Sequence, residues 1–431
     1  MTARTPGRPA DVVVTGTGVV CAIGTDTASF GAALRNGRSG ISAMPPGNGA
    51  DTERQVGAFL PDLDLAARLT ADAALPAAVT RAAVRAVGRS PAGLRAAAAA
   101  AIEAWCGARL HEAAIPADRI ALVVAGNNLT GKYIHAMAAR HGGNPAYLPG
   151  RYALRYQDTD HVGTLSQILG ITGEGCTVGG ASASGNVGII HGSRLIELGA
   201  ADACLVVGAM ADLSAIERQA FINLGAMADW TPDTDPAALC RPFDTARQGF
   251  VYGQAAACLL LESMRSARRR AAEVLAGLSG YAQGLDANSL ADPSAEGEAR
   301  VMARAMARAG FRPADIDYVN THGTGSPLGD ATEVAALAHA FGPDLSRPLL
   351  NATKGLVGHC LCAAGVLEAV AVIIQMRQGF IHPNVNLSQP LDHRCRFAGG
   401  RSADAVIGRA LSASFGFGGI NTCIALATPT P

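Results

Sequence analysis

Three loops of this chain carry residue types that can do chemistry. Gly179-Gly180-Ala181-Ser182-Ala183-Ser184-Gly185 sets a hydroxyl among small residues, between a β-like segment (Cys176 to Val178) and a helical one (Val187 to Leu198). Small residues let backbone approach a ligand closely, and a side chain at a helix N-terminus faces oriented N–H groups that favour negative charge. A lone serine in such a place is more often an N-cap in a packed loop. The two other loops change that balance. Asn320-Thr321-His322-Gly323-Thr324-Gly325-Ser326-Pro327 follows one strand pattern, and Asn351-Ala352-Thr353-Lys354 through Gly358-His359 follows another. Each sets a histidine in a strand-end loop, where functional side chains concentrate, and two such histidines can converge on one site. Lys132 and Lys354 are the only lysines in an arginine- and alanine-rich chain, so a lysine inside one of these loops stands out.

The elements that must hold these loops alternate between helix and strand. Asp11 to Val20 reads as a β-branched strand entering a Gly-rich turn, residues 75–105 as Ala-rich helices, and Asp118 to Gly126 as a buried strand. Strand patterns recur at Ala203 to Gly208, Ala255 to Glu262, Ile316 to Asn320 and Leu349 to Ala352. Helical ones recur at Glu298 to Ala309, Thr332 to Phe341 and about Cys362 to Met376. Arg409 to Ala427 closes the chain as two strands around Phe415-Gly416-Phe417-Gly418-Gly419. This is an α/β pattern. No short-period repeat marks a solenoid.

The bulk numbers remove several classes of function. The 431 residues are 49% hydrophobic and 16% charged, enough for a large core in one layered unit or two halves. A formal net charge of zero gives no long-range pull on nucleic acid or anionic lipid. Ten cysteines without a regular framework, several in apolar runs (Cys204, Cys258, Cys423), suit a reducing cytoplasm. The start has no apolar segment of signal-peptide length, and no stretch reads as the roughly eighteen apolar residues of a membrane span. The polar, proline-containing residues 1–10 are expected to be disordered.

Two other motifs have plain readings. Gly16-Thr17-Gly18 lacks the third glycine of a dinucleotide fingerprint, since Cys21 stands there, and reads as a tight turn. His359-Cys360-Leu361-Cys362 lacks the spacing of common zinc sites and a second ligand cluster, so both thiols read as packing. No metal is expected.

Taken together, the three loops resemble those of the elongating β-ketoacyl-acyl-carrier-protein synthases of fatty-acid and polyketide synthesis. The resemblance runs nearly end to end, from Val13-Val14-Thr15-Gly16 through Arg241-Pro242-Phe243-Asp244 and Gly249-Phe250-Val251 to Ser414-Phe415-Gly416-Phe417-Gly418-Gly419-Ile420-Asn421. It implies a thiolase fold, a five-layered αβαβα arrangement of two pseudo-duplicated halves (11–264 and 265–431) that dimerises. It also implies that His322 and His359 are the catalytic histidine pair, with Lys354 beside them and Glu333 as the acid paired with that lysine. Thr324 and Ser326 match hydroxyls that contact phosphopantetheine, and Phe415 and Phe417 belong to the glycine-rich gating loop, Phe417 as its gate. The arm itself arrives on an acyl carrier protein, so no resident cofactor is implied.

The chain departs from that pattern at the nucleophile, where the family reads Ala-Cys-x-Ser-Gly and this chain reads Ala181-Ser182-Ala183-Ser184-Gly185. A second departure is Gly253-Gln254-Ala255, where relatives place an acid and another glycine. A thiol near a helix N-terminus ionises at neutral pH, whereas a serine hydroxyl without an adjacent base does not. Acyl loading is therefore expected to fail, while loss of carbon dioxide from a malonyl thioester needs only donors for the enolate oxygen. The expected activity is conversion of malonyl- to acetyl-carrier protein without condensation, as in the decarboxylases of polyketide β-branching cassettes. A serine-dependent acyltransferase or condensing enzyme and a noncatalytic partner like a chain-length factor are the alternatives. A thiolase acting on coenzyme A esters ranks last.

Overall fold

The structure, a computed structural model, describes residues 11–43, 56–71, 75–88 and 90–429. The expectation of disorder for residues 1–10 lies outside the described residues.

Ten strands form one continuous sheet among the described residues: β1 (Val12–Cys21), β2 (Ile120–Ala125), β3 (Gly175–Val178), β4 (Ala203–Gly208), β5 (Ala255–Ser263), β6 (Ala276–Leu285), β7 (Tyr318–Asn320), β8 (Leu349–Asn351), β9 (Arg409–Gly416) and β10 (Ile420–Ala427). Their order is β8-β7-β9-β10-β6-β1-β5-β4-β2-β3. In the first half β2 runs parallel to β3 and β4, β4 is antiparallel to β5, and β5 to β1. In the second half β7 runs parallel to β8 and β9, β9 is antiparallel to β10, and β10 to β6. The second half thus repeats the order and directions of the first. The halves join where Val12 to Val14 pair with Leu278 to Ala276. Sequence reading divides the chain after residue 264, which falls inside the short helix Met264–Arg269 between β5 and β6.

Side-chain alternation along the strands builds the layers. On β2, Ala121 and Val123 enter the central core, while Ile120, Leu122 and Val124 face an outer one. On β10, Ile424 and Leu426 enter the same central core, and Cys423 and Ala425 face a third. Helices α2 (Ser184–Glu197) and α5 (Ala364–Gln378) fill the centre; α1 (Ala92–Gly107) covers one outer face, α3 (Ala295–Ala309) and α4 (Pro327–Phe341) the other. This is the five-layered αβαβα thiolase arrangement. From Ala364 to Met376 helix α5 is buried and apolar on every side except at Glu368 and Gln375, the pattern of an enclosed helix. The stretch Leu361–Gln378 is long and apolar enough to cross a membrane, contrary to the sequence reading, and 89% of it is buried inside the protein.

Two glycine pairs decide how closely these layers meet. Gly16-Thr17-Gly18 is not the turn that the sequence reading expected but the middle of β1. A Cβ on Gly16 would stand 2.3 Å from the Ala104 carbonyl oxygen, and one on Gly18 2.0 Å from that of Ala100. The glycines therefore let α1, lined by the buried run Ala96–Ala101, lie directly on the strand. At the centre, a Cβ on Gly185 would meet the Val366 nitrogen at 2.5 Å, and one on Gly365 the Asn186 nitrogen at 2.7 Å. Backbone contact here brings the N-terminal ends of α2 and α5 together, and with them the turns that precede both helices.

Candidate active site

The short turn Ala181–Ala183 precedes α2, and a matching turn Leu361–Ala363 precedes α5. Ala181 and Leu361 both adopt φ of 48°, a left-handed conformation that costs a non-glycine residue about 1–3 kcal/mol. The strain turns Ser182 toward the crossing of the two helices, where its Oγ lies 2.8 Å from His359 Nε2. His322, from the loop after β7, stands beside His359 with ring centroids 5.6 Å apart and planes at 87°. The sequence-expected trio of Ser182, His322 and His359 does converge.

Hydrogen bonds assign the tautomers of both rings. His359 Nδ1 accepts the Leu361 N–H at 3.3 Å, so the proton of the neutral ring sits on Nε2 and Ser182 Oγ is the acceptor. His322 Nδ1 lies 3.4 Å from the Lys354 ammonium, a group that only donates, so its Nε2 also carries the proton. Burial foremost, and then the Lys354 charge, hold both imidazoles well below the usual histidine range. The rings are neutral at pH 7 and offer two N–H donors.

Lys354 is fully buried and donates to the His322 carbonyl oxygen at 2.6 Å. Its ion-pair partner corrects the sequence reading, which paired it with Glu333: the pair is formed with Glu368 of α5. Glu333, from α4, instead accepts the backbone N–H of His322 (Oε1, 2.7 Å) and of Gly323 (Oε2, 2.7 Å). Both acids can serve because Lys354 approaches from the α5 side and Glu333 from the α4 side of one loop. Burial pushes the Glu333 carboxyl up to about 8 against the pull of those N–H donors. Glu368 had a signal in the sequence: it is the lone charge between Ala364 and Met376, in a helix otherwise apolar enough to be buried.

A cavity of about 880 Å³ opens over this centre, lined by Ser182, His322, His359, Thr324, Ser326, Phe415 and Phe417 among others. Thr324 donates to Ser326 Oγ at 2.9 Å, which sets a hydroxyl pair on the cavity wall. Phe415 is buried edge-on to His322, and Phe417 stacks on Phe221 nearer solvent. Phe250, which sequence reading quoted without a role, packs edge-on to His359 at 5.2 Å. Cys360 is buried and donates to a carbonyl, as packing predicts, but Cys362 also lines the cavity. Gln254 now has an account: its N–H donates to the Ala58 carbonyl and its Oε1 accepts the Leu60 N–H, fastening the 58–60 segment to β5.

Comparison with known proteins follows the same line. The beta-ketoacyl synthase N-terminal domain matches residues 10–267 and the beta-ketoacyl synthase C-terminal domain residues 274–388. The chain belongs to the beta-ketoacyl synthase family. It is 37% identical over 416 residues to the polyketide biosynthesis malonyl-ACP decarboxylase PksF of Bacillus subtilis, covering 96% of both chains. Among solved structures, a beta-ketoacyl synthase from Burkholderia phymatum superposes with a TM-score of 0.84 at 28% identity, over 98% of this chain and 100% of that one. The ishigamide ketosynthase/chain length factor superposes at 0.82 with 27% identity, over 98% and 100%.

Proposed function

We propose that this beta-ketoacyl synthase decarboxylates malonyl-acyl carrier protein to acetyl-acyl carrier protein without condensation, in polyketide biosynthesis and as part of a β-branching cassette. The observation that carries the reading is the Leu361 N–H held at His359 Nδ1. It leaves Nε2 protonated, so His359 can donate to Ser182 but cannot take its proton, and the serine has no general base. Similarity to PksF along nearly the whole chain supports the same reading.

The reaction then uses the two donors. The malonyl thioester oxygen takes the Nε2–H groups of His322 and His359, displacing Ser182 from the latter. The bond between the methylene carbon and the carboxylate breaks, carbon dioxide leaves, and the electron pair becomes an enolate held by both N–H groups. With no acyl group on Ser182 to attack, the enolate carbon takes a proton from water. Lys354 keeps His322 neutral and in its donor tautomer, Glu333 fixes the loop that carries it, and Thr324, Ser326 and Phe417 receive the pantetheine arm. A homodimer in the cytoplasm completes the proposal. Its supports are the edge strand β3, unpaired on one side among the described residues and only partly buried, and ten free thiols.

Intact-protein mass spectrometry of malonyl-loaded carrier protein incubated with the chain tests this. The expected result is acetyl on the carrier with the enzyme's own mass unchanged. An acyl adduct on Ser182 would move the reading to an acyltransferase, and an unchanged carrier to a noncatalytic chain-length-factor-like partner.

A further inference from the structure

The two N–H donors come from loops that leave neighbouring strands. The ladder between β7 and β8 ends at the pair Asn320–Asn351, and His322 and His359 lie two and eight residues beyond it. Both N–H groups have to reach one oxygen, at about 2.7–3.1 Å, so the loops need holding in register past the end of the ladder.

Three consecutive residues of the first loop are tied to the second. Asn320 Oδ1 accepts the Thr353 hydroxyl at 2.8 Å. The Thr321 N–H and Oγ1 both donate to the Asn351 carbonyl oxygen, at 3.0 and 2.8 Å, and the His322 carbonyl oxygen accepts the Lys354 ammonium at 2.6 Å. Asn320, Thr321, Asn351 and Thr353 are all fully buried. In such surroundings a hydrogen bond is strong and an unmade one is costly, so these ties fix a single arrangement.

Helix α5 anchors this seam. Its two buried polar residues, Glu368 and Gln375, are seven residues and therefore about two turns apart, on one face of the helix. Glu368 pairs with Lys354, while Gln375 Oε1 accepts the His382 N–H at 2.9 Å and its Nε2 donates to the Tyr318 hydroxyl at 3.3 Å. His382 leads back to the seam: its Nε2 lies 3.1 Å from Thr353 Oγ1, and its carbonyl oxygen accepts Asn351 Nδ2 at 2.8 Å. Asn320, Thr353, Gln375 and His382 are not on the cavity wall, so their part is not contact with substrate.

We propose that Asn320 and Thr353 are positioning residues, whose bond, backed by α5 and His382, sets the separation of the two histidine N–H groups and so governs turnover rather than substrate binding. The inference rests on the proposed decarboxylation, in which those two groups hold the enolate.

Thr353→Val keeps the shape of the side chain and deletes the hydroxyl. A displacement on the order of 1 Å costs about 10² in rate, so kcat for malonyl-carrier protein should fall about tenfold to a hundredfold with KM within about threefold. Thr353→Ser, which keeps the bond, should recover most of the rate. In a His322→Ala background, where one donor is left and no separation remains to be set, Thr353→Val should cost less than about twofold. An equal loss in both backgrounds would make Thr353 a merely structural residue and overturn the proposal, as would a rise in KM alone. Should Thr353→Val fail to fold, Tyr318→Phe removes one buried oxygen from the far end of the same network and carries the same two comparisons, with a loss of at least about threefold in the parent background.

A second measurement needs no turnover. In spectra of chain labelled with 15N-histidine, Thr353→Val should move the His322 ring signals, identified by their loss in His322→Ala, and leave those of the distant His161 in place. Unmoved His322 signals overturn the proposal whether or not malonyl-carrier is converted. Moved signals in a chain that leaves malonyl-carrier unchanged sink the decarboxylase reading and leave the seam standing.

Discussion

The turn before α2 and the turn before α5 occupy matching places in the two halves, share a left-handed first residue at φ 48°, and meet at the Gly185–Gly365 crossing. Their surroundings differ. The second half contributes His322 after β7 and Lys354 and His359 after β8, while the first contributes Ser182 after β3 and, after β2, Asn127. One half holds the donors, and the other presents a hydroxyl to one of them. The two halves share one frame, and in the proposed mechanism both donors come from the loops of one of them, so substitutions in matching places should have unequal consequences.

The largest effect is expected at the buried pair of the second half. Lys354→Met removes the ammonium and leaves the buried Glu368 carboxyl without its ion-pair partner. Breaking such a pair costs about 3–5 kcal/mol, and a well-packed apolar pair is often neutral. Urea unfolding should show that loss for Lys354→Met and recovery of most of it in Lys354→Met, Glu368→Leu. Equal stability of the single and double variants would mean that the pair does not hold the second half together.

Next comes the histidine pair. Removing one donor from a preorganised oxyanion site costs about 10²–10³ in rate, so His322→Ala and His359→Ala should each lose that much malonyl decarboxylation. Steady-state release of carbon dioxide from malonyl-carrier measures it. Full activity in both variants would abandon the division of labour between the halves.

Each half also buries one histidine away from the site, and these differ in a way that pH exposes. Among the described residues His161 has no partner for either ring nitrogen, whereas His382 bonds Thr353 Oγ1 at 3.1 Å and the Pro383 carbonyl at 2.9 Å. Burial lowers both to about 4 from the ordinary 6.5. The unfolded chain therefore takes up these protons first, and stability falls as pH drops from about 6.5 to about 4, by roughly 3 kcal/mol for each ring. Stability curves at pH 7 and pH 4.5 should differ less in His161→Leu than in the parent. At neutral pH the same change should stabilise, because it removes two unsatisfied polar atoms, while His382→Leu should destabilise by breaking its bonds.

Much of this frame is legible in the sequence because it rests on local pattern. Strand β4 falls where its β-branched run ends, at Ala203 and Gly208, and Ser182, His322 and His359 can be grouped from their strand-end loops. What is missed depends on distance along the chain. Gly16 and Gly18 look like a turn because the α1 backbone that needs their bare faces lies more than 80 residues on. The resemblance pairs Lys354 with Glu333, but the packing of α4 and α5 sets Glu333 on the His322 backbone and Glu368 on the lysine, which no local pattern around residue 354 reveals. Helix α4 starts at Pro327, five residues before the periodic signal at Thr332, although Ser326-Pro327 is itself a start signal.

The smallest expected effect sharpens the comparison most. Ser182→Ala removes an acceptor that the substrate must displace from His359 in any case, so the ground state loses a competitor for the donor and the enolate loses nothing. Decarboxylation should change by less than about tenfold, under 1.4 kcal/mol. Ser182→Cys keeps the position and supplies an acid group near pKa 8.5 at the start of α2, where the helix favours its anion. Acyl-carrier protein offered to that variant should leave a thioester on residue 182, visible as added mass, while the parent stays unmodified. A variant that decarboxylates normally yet refuses the acyl group would place the barrier to condensation in the cavity walls, with Cys362 across the crossing the first side chain to vary.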